Sequence, residues 1–215
     1  MVNISVDYIE KAINWLGNQP NVDTKKIGMV GTSKGGELAL LSASIFPAIK
    51  AVAGYAPSSV VYPGISQNNS SSSSWKYKGE ELPYAKGKAP EKVGSVYREK
   101  YIKRRAYHFS GLVFPFDGRT NECRNQENIN GPVLLISGGD DQLWPPDIMS
   151  DRVIERLGRK NHPYYYEHVT YPGAGHYFVA PGMPTTDSDK IAFASGFTML
   201  LGANPHDNAV AHAKA

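Results

Sequence analysis

Lys26-Ile27-Gly28-Met29-Val30-Gly31-Thr32-Ser33-Lys34-Gly35-Gly36-Glu37-Leu38-Ala39-Leu40 holds the most informative local pattern in this chain. Lys26–Gly31 is a short apolar run of the size of a buried strand. Glu37–Phe46 is rich in Ala and Leu, reads as a helix, and stops at Pro47. Between the two lies a G-x-S-x-G sequence, Gly31-Thr32-Ser33-Lys34-Gly35. Five-residue patterns arise by chance, so the context matters more: a strand enters this one and a helix leaves it. There a serine sits on a tight turn with its oxygen above the strand ends, and flanking glycines remove Cβ atoms that would collide. Ser33 is therefore the candidate nucleophile. The backbone N–H of Lys34 falls at the positive end of the new helix, facing a developing oxyanion. A Gly-rich helix start can instead hold phosphate. That reading is disfavoured because Lys34 follows the serine, whereas a P-loop lysine precedes its Ser/Thr.

Upstream, Val6, Ile9, Ala12, Ile13 and Leu16 recur at helical spacing, and Gly17 then Pro20 close the segment. Downstream, Ala48–Tyr55 is a second strand-sized run. From Val60 to Glu127 the chain turns serine-rich, then basic and aromatic, with many Gly and Pro. It reads as an insertion over one end of a sheet, about 60–127, with a helix near Glu91–Arg105. Regular elements return with a strand at Pro132–Ser137, a helix near Pro146–Leu157, a strand near Tyr164–Tyr171, and a tail helix expected to begin near Ser188. Strands alternating with helices predict an α/β domain over 1–215, with a mainly parallel sheet and helices on both faces. Ligands bind such sheets beyond the carboxyl ends of the strands.

A serine near neutrality needs a base, and the base needs an orienting group. Asp140-Asp141 follows the strand ending at Ser137, and His176 follows the next strand within Pro172-Gly173-Ala174-Gly175. The order serine, acid, histidine is the one required on this architecture. Asp141 is the better-placed acid, far enough past Gly138 to point across to His176, and Asp140 suits a turn-capping role. Either carboxylate could instead be a plain loop Asx turn. His108, His162, His168, His206 and His212 have no ligand spacing, so no metal and no cofactor is expected.

The composition narrows the remaining classes. The chain has 215 residues, 23 Lys+Arg against 20 Asp+Glu, and a net charge of +3. Nothing in that balance points to nucleic acid. A lone cysteine, Cys123, can build neither a disulfide framework nor a zinc cluster, and suits a reducing compartment. No apolar run approaches a membrane span. The acidic amphipathic start is unlike a secretory signal, and no peroxisomal or mitochondrial address is visible. A cytoplasmic protein without stable membrane insertion is expected.

The segment Ile27–Leu40 resembles the C-terminal catalytic region shared by acyl-CoA thioesterases and bile acid-CoA:amino acid N-acyltransferases, of the α/β-hydrolase superfamily. The likeness continues through Tyr77-Lys78-Gly79-Glu80, Leu82-Pro83-Tyr84, Gly131–Ser137, Gly139–Pro145 and Tyr171–His176. It implies the triad Ser33, Asp141 and His176 and an acyl-CoA substrate. The acyltransferase branch carries cysteine at the nucleophile, so Ser33 favours water as the acceptor. Trp75, Tyr77 and Tyr84 either line an acyl groove or pack under the insertion, and Trp144 is a further candidate substrate contact. Arg104, within the cluster Arg98, Lys100, Lys103, Arg104 and Arg105, is a candidate for the CoA phosphates, although such a run is more often a solvated helix face.

Two departures from the family pattern are expected. The strands before the elbow strand, with the loop giving a second oxyanion N–H, are not seen before Lys26, leaving only the C-terminal half of the sheet. The chain is also expected to stop short of the family's final helix. Both predict a weak catalyst with an apolar sheet edge open to self-association.

Overall fold

The computed structural model describes residues 1–64, 72–85, 107–109, 112–114, 125–178, 190–192 and 198–214. In chain order these form β1 (Ile4–Ser5), α1 (Asp7–Gly17), β2 (Gly28–Thr32), α2 (Lys34–Ile45), β3 (Ala51–Tyr55), β4 (Trp75–Tyr77) and β5 (Glu80–Glu81). There follow β6 (Tyr107–Phe109), β7 (Leu112–Phe114), β8 (Val133–Gly138), α3 (Pro146–Arg159), β9 (Tyr166–Tyr171), β10 (Lys190–Ala192), β11 (Thr198–Leu200) and α4 (Pro205–Lys214).

The central sheet is fully parallel, in the order β2-β3-β8-β9. Its alternation sorts the side chains onto two faces. Val52, Val133 and Leu135 point to one face and pack with Leu38 and Leu41 of α2 and Val153 and Leu157 of α3. Ile136 points to the other and packs with Ala174, Phe178 and Ala211 of α4. Helices thus cover both faces, which is the α/β-hydrolase arrangement. Val6, the residue before α1, and Ile9 within it are buried, Ile13 and Leu16 are half-buried, and Ala12 of the expected apolar face is exposed. Pro146 opens α3 at a position where no amide hydrogen is needed.

Two elements differ from expectation. Thr24–Lys26 is a single 3-10 turn capped by the Asp23 carboxylate on the Lys25 N–H, so the elbow strand starts later, at Gly28. The predicted tail helix is replaced. Ser188 lies outside the described residues, and Lys190–Ala192 pairs antiparallel with Thr198–Leu200, with Ile191 and Met199 opposite in backbone register. The described tail closes with α4, its Ala211 fully buried beside Ile136 of the sheet.

Within the stretch 60–127, expected to be an insertion, the described residues include β4 and β5, which join β1 in a small separate sheet. The helix expected near Glu91–Arg105 lies outside the described residues. So do Cys123 and the basic cluster with Arg104.

Candidate active site

Three loops at the carboxyl ends of β2, β8 and β9 converge. The Ser33 N–H extends the β2–β3 ladder to the Tyr55 carbonyl at 2.8 Å, and α2 begins at the next residue. Ser33 takes φ 58° and ψ −122° and makes no capping bond with its side chain, leaving the hydroxyl available. The turn depends on Gly31, where a Cβ would run into the Gly35 carbonyl.

The Ser33 Oγ lies 2.8 Å from His176 Nε2, and His176 Nδ1 lies 2.6 Å from Asp141 Oδ2. A carboxylate only accepts, so Nδ1 carries the hydrogen and Nε2 accepts from the serine hydroxyl. The same aspartate also organises its loop: Oδ1 accepts the N–H groups of Leu143 at 2.8 Å and Trp144 at 3.2 Å. The Asx turn and the histidine partner, alternatives in the sequence, are one residue. Burial pushes the Asp141 carboxyl up, opposed by His176 and by those two N–H groups. Asp140 accepts instead from the Ala203 N–H at 2.8 Å.

The tail holds the Asp141 and His176 loops together, which nothing in the sequence indicated. His176 N–H donates to the Leu201 carbonyl at 2.7 Å, and Asp141 bridges Gly202. Gly138 lets the loops touch, since a Cβ there would meet the Gly175 carbonyl.

The predicted substrate contacts divide. Trp144 reaches the site. Its ring meets His176 edge-on at 5.1 Å, stacks on Tyr62 at 5.5 Å, and its indole N–H donates to the Ala56 carbonyl at 3.1 Å. Trp75 is buried behind the elbow, donating to Glu37 at 2.6 Å. Tyr77 stands against Phe46, at the opposite end of α2 from Ser33.

A second Asp-His-Ser chain runs from Asp151 through His168 to Ser137, at 2.7 and 2.6 Å. Ser137 is wholly buried within the central strand β8, where no carbonyl can reach it. It braces β8 and β9 to α3. Among the described residues no cluster of metal-ligating side chains occurs, and no helix is long and apolar enough to cross a membrane.

A serine at the β2-to-α2 elbow, hydrogen-bonded to a histidine beyond β9 that meets an aspartate beyond β8, places the chain among the α/β-hydrolases. It belongs to the BAAT / acyl-CoA thioester hydrolase C terminal family, whose model matches residues 4–215. Human acyl-coenzyme A thioesterase 1 is 28% identical over 221 residues, covering 100% of this chain and 47% of the relative. Human acyl-coenzyme A thioesterase 2, mitochondrial, is 28% identical, covering 100% and 41%. Mouse peroxisomal succinyl-coenzyme A thioesterase is 28% identical, covering 84% and 39%. The chain therefore spans less than half the length of these relatives. Their names include mitochondrial and peroxisomal enzymes, so the cytoplasmic expectation gains no support from them. Among solved structures, a dienelactone hydrolase-like promiscuous phosphotriesterase from metagenomic libraries aligns with TM-score 0.46 and 16% identity, covering 95% of this chain and 56% of its own. A Mycobacterium tuberculosis puromycin-hydrolyzing peptidase aligns with TM-score 0.43 and 22% identity, covering 74% and 20%.

Proposed function

We propose that this chain hydrolyses acyl-CoA thioesters through Ser33, His176 and Asp141. The observation that carries the reading is the unbroken hydrogen-bond chain from Asp141 through His176 to Ser33. Its family membership supports the thioester as substrate.

In the first half-reaction Ser33 Oγ attacks the thioester carbonyl carbon while His176 Nε2 takes the hydroxyl proton. Asp141 holds the tautomer and stabilises the imidazolium. The tetrahedral oxyanion faces the Lys34 N–H at the start of α2. Collapse breaks the C–S bond, and His176 returns the proton to the departing sulfur, releasing CoA as a thiol. In the second half, His176 takes a proton from water, hydroxide adds to the acyl-serine ester, and the acid leaves as Ser33 regains its proton. An oxyester on serine is matched to water, whereas a cysteine thioester would be open to amines.

The test is thiol release from acyl-CoA by the 215-residue chain, with a fluorophosphonate probe mapped by mass spectrometry. Labelling is expected at Ser33, and Ser33→Ala is expected to lower turnover by about 10³-fold or more. Undiminished turnover in Ser33→Ala overturns the triad. Preference for p-nitrophenyl esters overturns the substrate class, and a conjugate formed with added glycine or taurine overturns water as acceptor.

A second copy of the chain is the partner we assign to β2. Among the described residues β2 pairs only with β3, and its outward Val30 is 67% exposed.

A further inference from the structure

Glu37 is the only acidic residue in α2, one turn beyond Ser33, and it is 2% exposed. Its Oε1 accepts from Lys34 Nζ at 2.7 Å and Trp75 Nε1 at 2.6 Å, and its Oε2 accepts the Tyr62 main-chain N–H at 3.2 Å. Lys34 Nζ also donates to the Tyr62 carbonyl at 3.3 Å and stands over the Tyr62 and Trp75 rings at 5.7 and 5.6 Å. Both polar groups of the Tyr62 peptide are thus gripped by one ion pair. Isolated charges at this depth are unfavourable, so each holds the other. Burial pushes Glu37 up and Lys34 down, and each partner opposes the other's shift.

The pair is linked by contacts to the base as well as to the elbow. Tyr62 stacks nearly parallel on Trp144, and Trp144 bears edge-on against His176. Trp144 is also tied to Asp141 through its main-chain N–H. One turn of α2 therefore connects the residue after the nucleophile to the wall behind the imidazole.

We propose that Glu37 is a positioning residue: by anchoring Lys34 and the Tyr62 peptide it fixes the Lys34 oxyanion N–H and the Tyr62–Trp144 wall that orients His176. This rests on Ser33 being the nucleophile. It also assigns the Lys34 ammonium to the interior and away from substrate phosphates. Misplacement of reacting groups by about 1 Å can lower rates about 100-fold, so losing this anchor affects the chemical step.

The decisive readout is the rate at which a fluorophosphonate, which has no CoA portion, labels Ser33 in the 215-residue chain. Glu37→Gln, shown folded by circular dichroism, is expected to slow labelling by about 10-fold or more, with thioester kcat falling in step and KM unchanged. Tyr62→Leu is expected to slow labelling too. The double variant is expected to be no slower than the slower single one, because both act through the same wall. If Glu37→Gln does not fold, the uncharged pair Lys34→Met with Glu37→Gln decides by the same threshold. Labelling within about twofold of the unmodified chain, or effects that simply multiply in the double variant, overturns the proposal. No labelling of Ser33 in the unmodified chain overturns the nucleophile reading, and the positioning role with it. Normal labelling untouched by Glu37→Gln overturns the positioning role alone.

Discussion

Ser33 occupies a backbone conformation with φ 58° that non-glycine residues avoid, at a cost of about 1–3 kcal/mol. Such a position persists because its neighbours over-determine it, here through the Tyr55 carbonyl on one side and the first turn of α2 on the other. Asp141 is over-determined in the same way, with one oxygen on two loop N–H groups and the other on His176. That division predicts the effect of Asp141→Asn. The amide oxygen can still accept from Leu143 and Trp144, so the loop and the melting temperature should change little. The amide nitrogen cannot accept the Nδ1 hydrogen, so the imidazole takes the wrong tautomer. Thioester kcat should fall by about 10³–10⁴-fold, as for the equivalent exchange in other triads; a fall below about tenfold would remove Asp141 from the mechanism. The convergence of Ser33, Asp141 and His176 was legible because a motif, a chain order and strand ends all constrain where these side chains fall. Glu37 was not. A glutamate in the first turn of a helix ordinarily complements the helix dipole from the surface, and nothing local shows that Trp75 and Tyr62 will enclose it.

Elements were legible where periodicity and breakers agreed, as for α2 between its glycines and Pro47. They failed in the tail, where a few apolar residues fit either a helix or a strand and only pairing decides. Leu201 and Gly202 bridge the Asp141 and His176 loops, an interaction between segments far apart in sequence that no window could reveal. The tie between the segment before β8 and α3 is likewise tertiary. Glu127 forms a two-pronged pair with Arg156 of α3 at 2.6 and 2.8 Å. The Arg156 hydrogen bonds hold the Glu127 carboxyl below its ordinary value of 4.5. A lowered value in the folded chain gives stability that is present above 4.5 and lost as pH falls through the folded value. Because both side chains are partly exposed, solvent screens the pair. Glu127→Gln should therefore cost no more than about 1 kcal/mol at neutral pH. Urea unfolding of the two chains should show that difference at neutral pH and its closure in acid, with the unmodified chain losing the advantage. A difference that stays constant with pH would assign the loss to packing.

Across the whole molecule, the two sheet faces are covered unequally. Val30, Ala53 and Leu134 lie in one row by strand register, on the face opposite α2, and line an apolar groove with Tyr165. Val30 is at the edge of that row and is 67% exposed, beside main-chain groups of β2 that have no strand partner on that side among the described residues. An exposed, apolar edge strand is a template for pairing, and natural proteins blunt such edges with lysine. The 215-residue chain is accordingly expected to self-associate through β2 as concentration rises. Val30→Lys is expected to weaken that association by about 10-fold or more, since the ammonium must be desolvated or expelled from the pairing surface. Val30 faces away from α2 and contributes nothing to the triad, so the labelling rate of Ser33 should be the same in the monomers of both chains. Sedimentation velocity over a concentration series makes the comparison directly. A single monomeric boundary at every concentration, or equal association by Val30→Lys, would show that β2 is not the surface used.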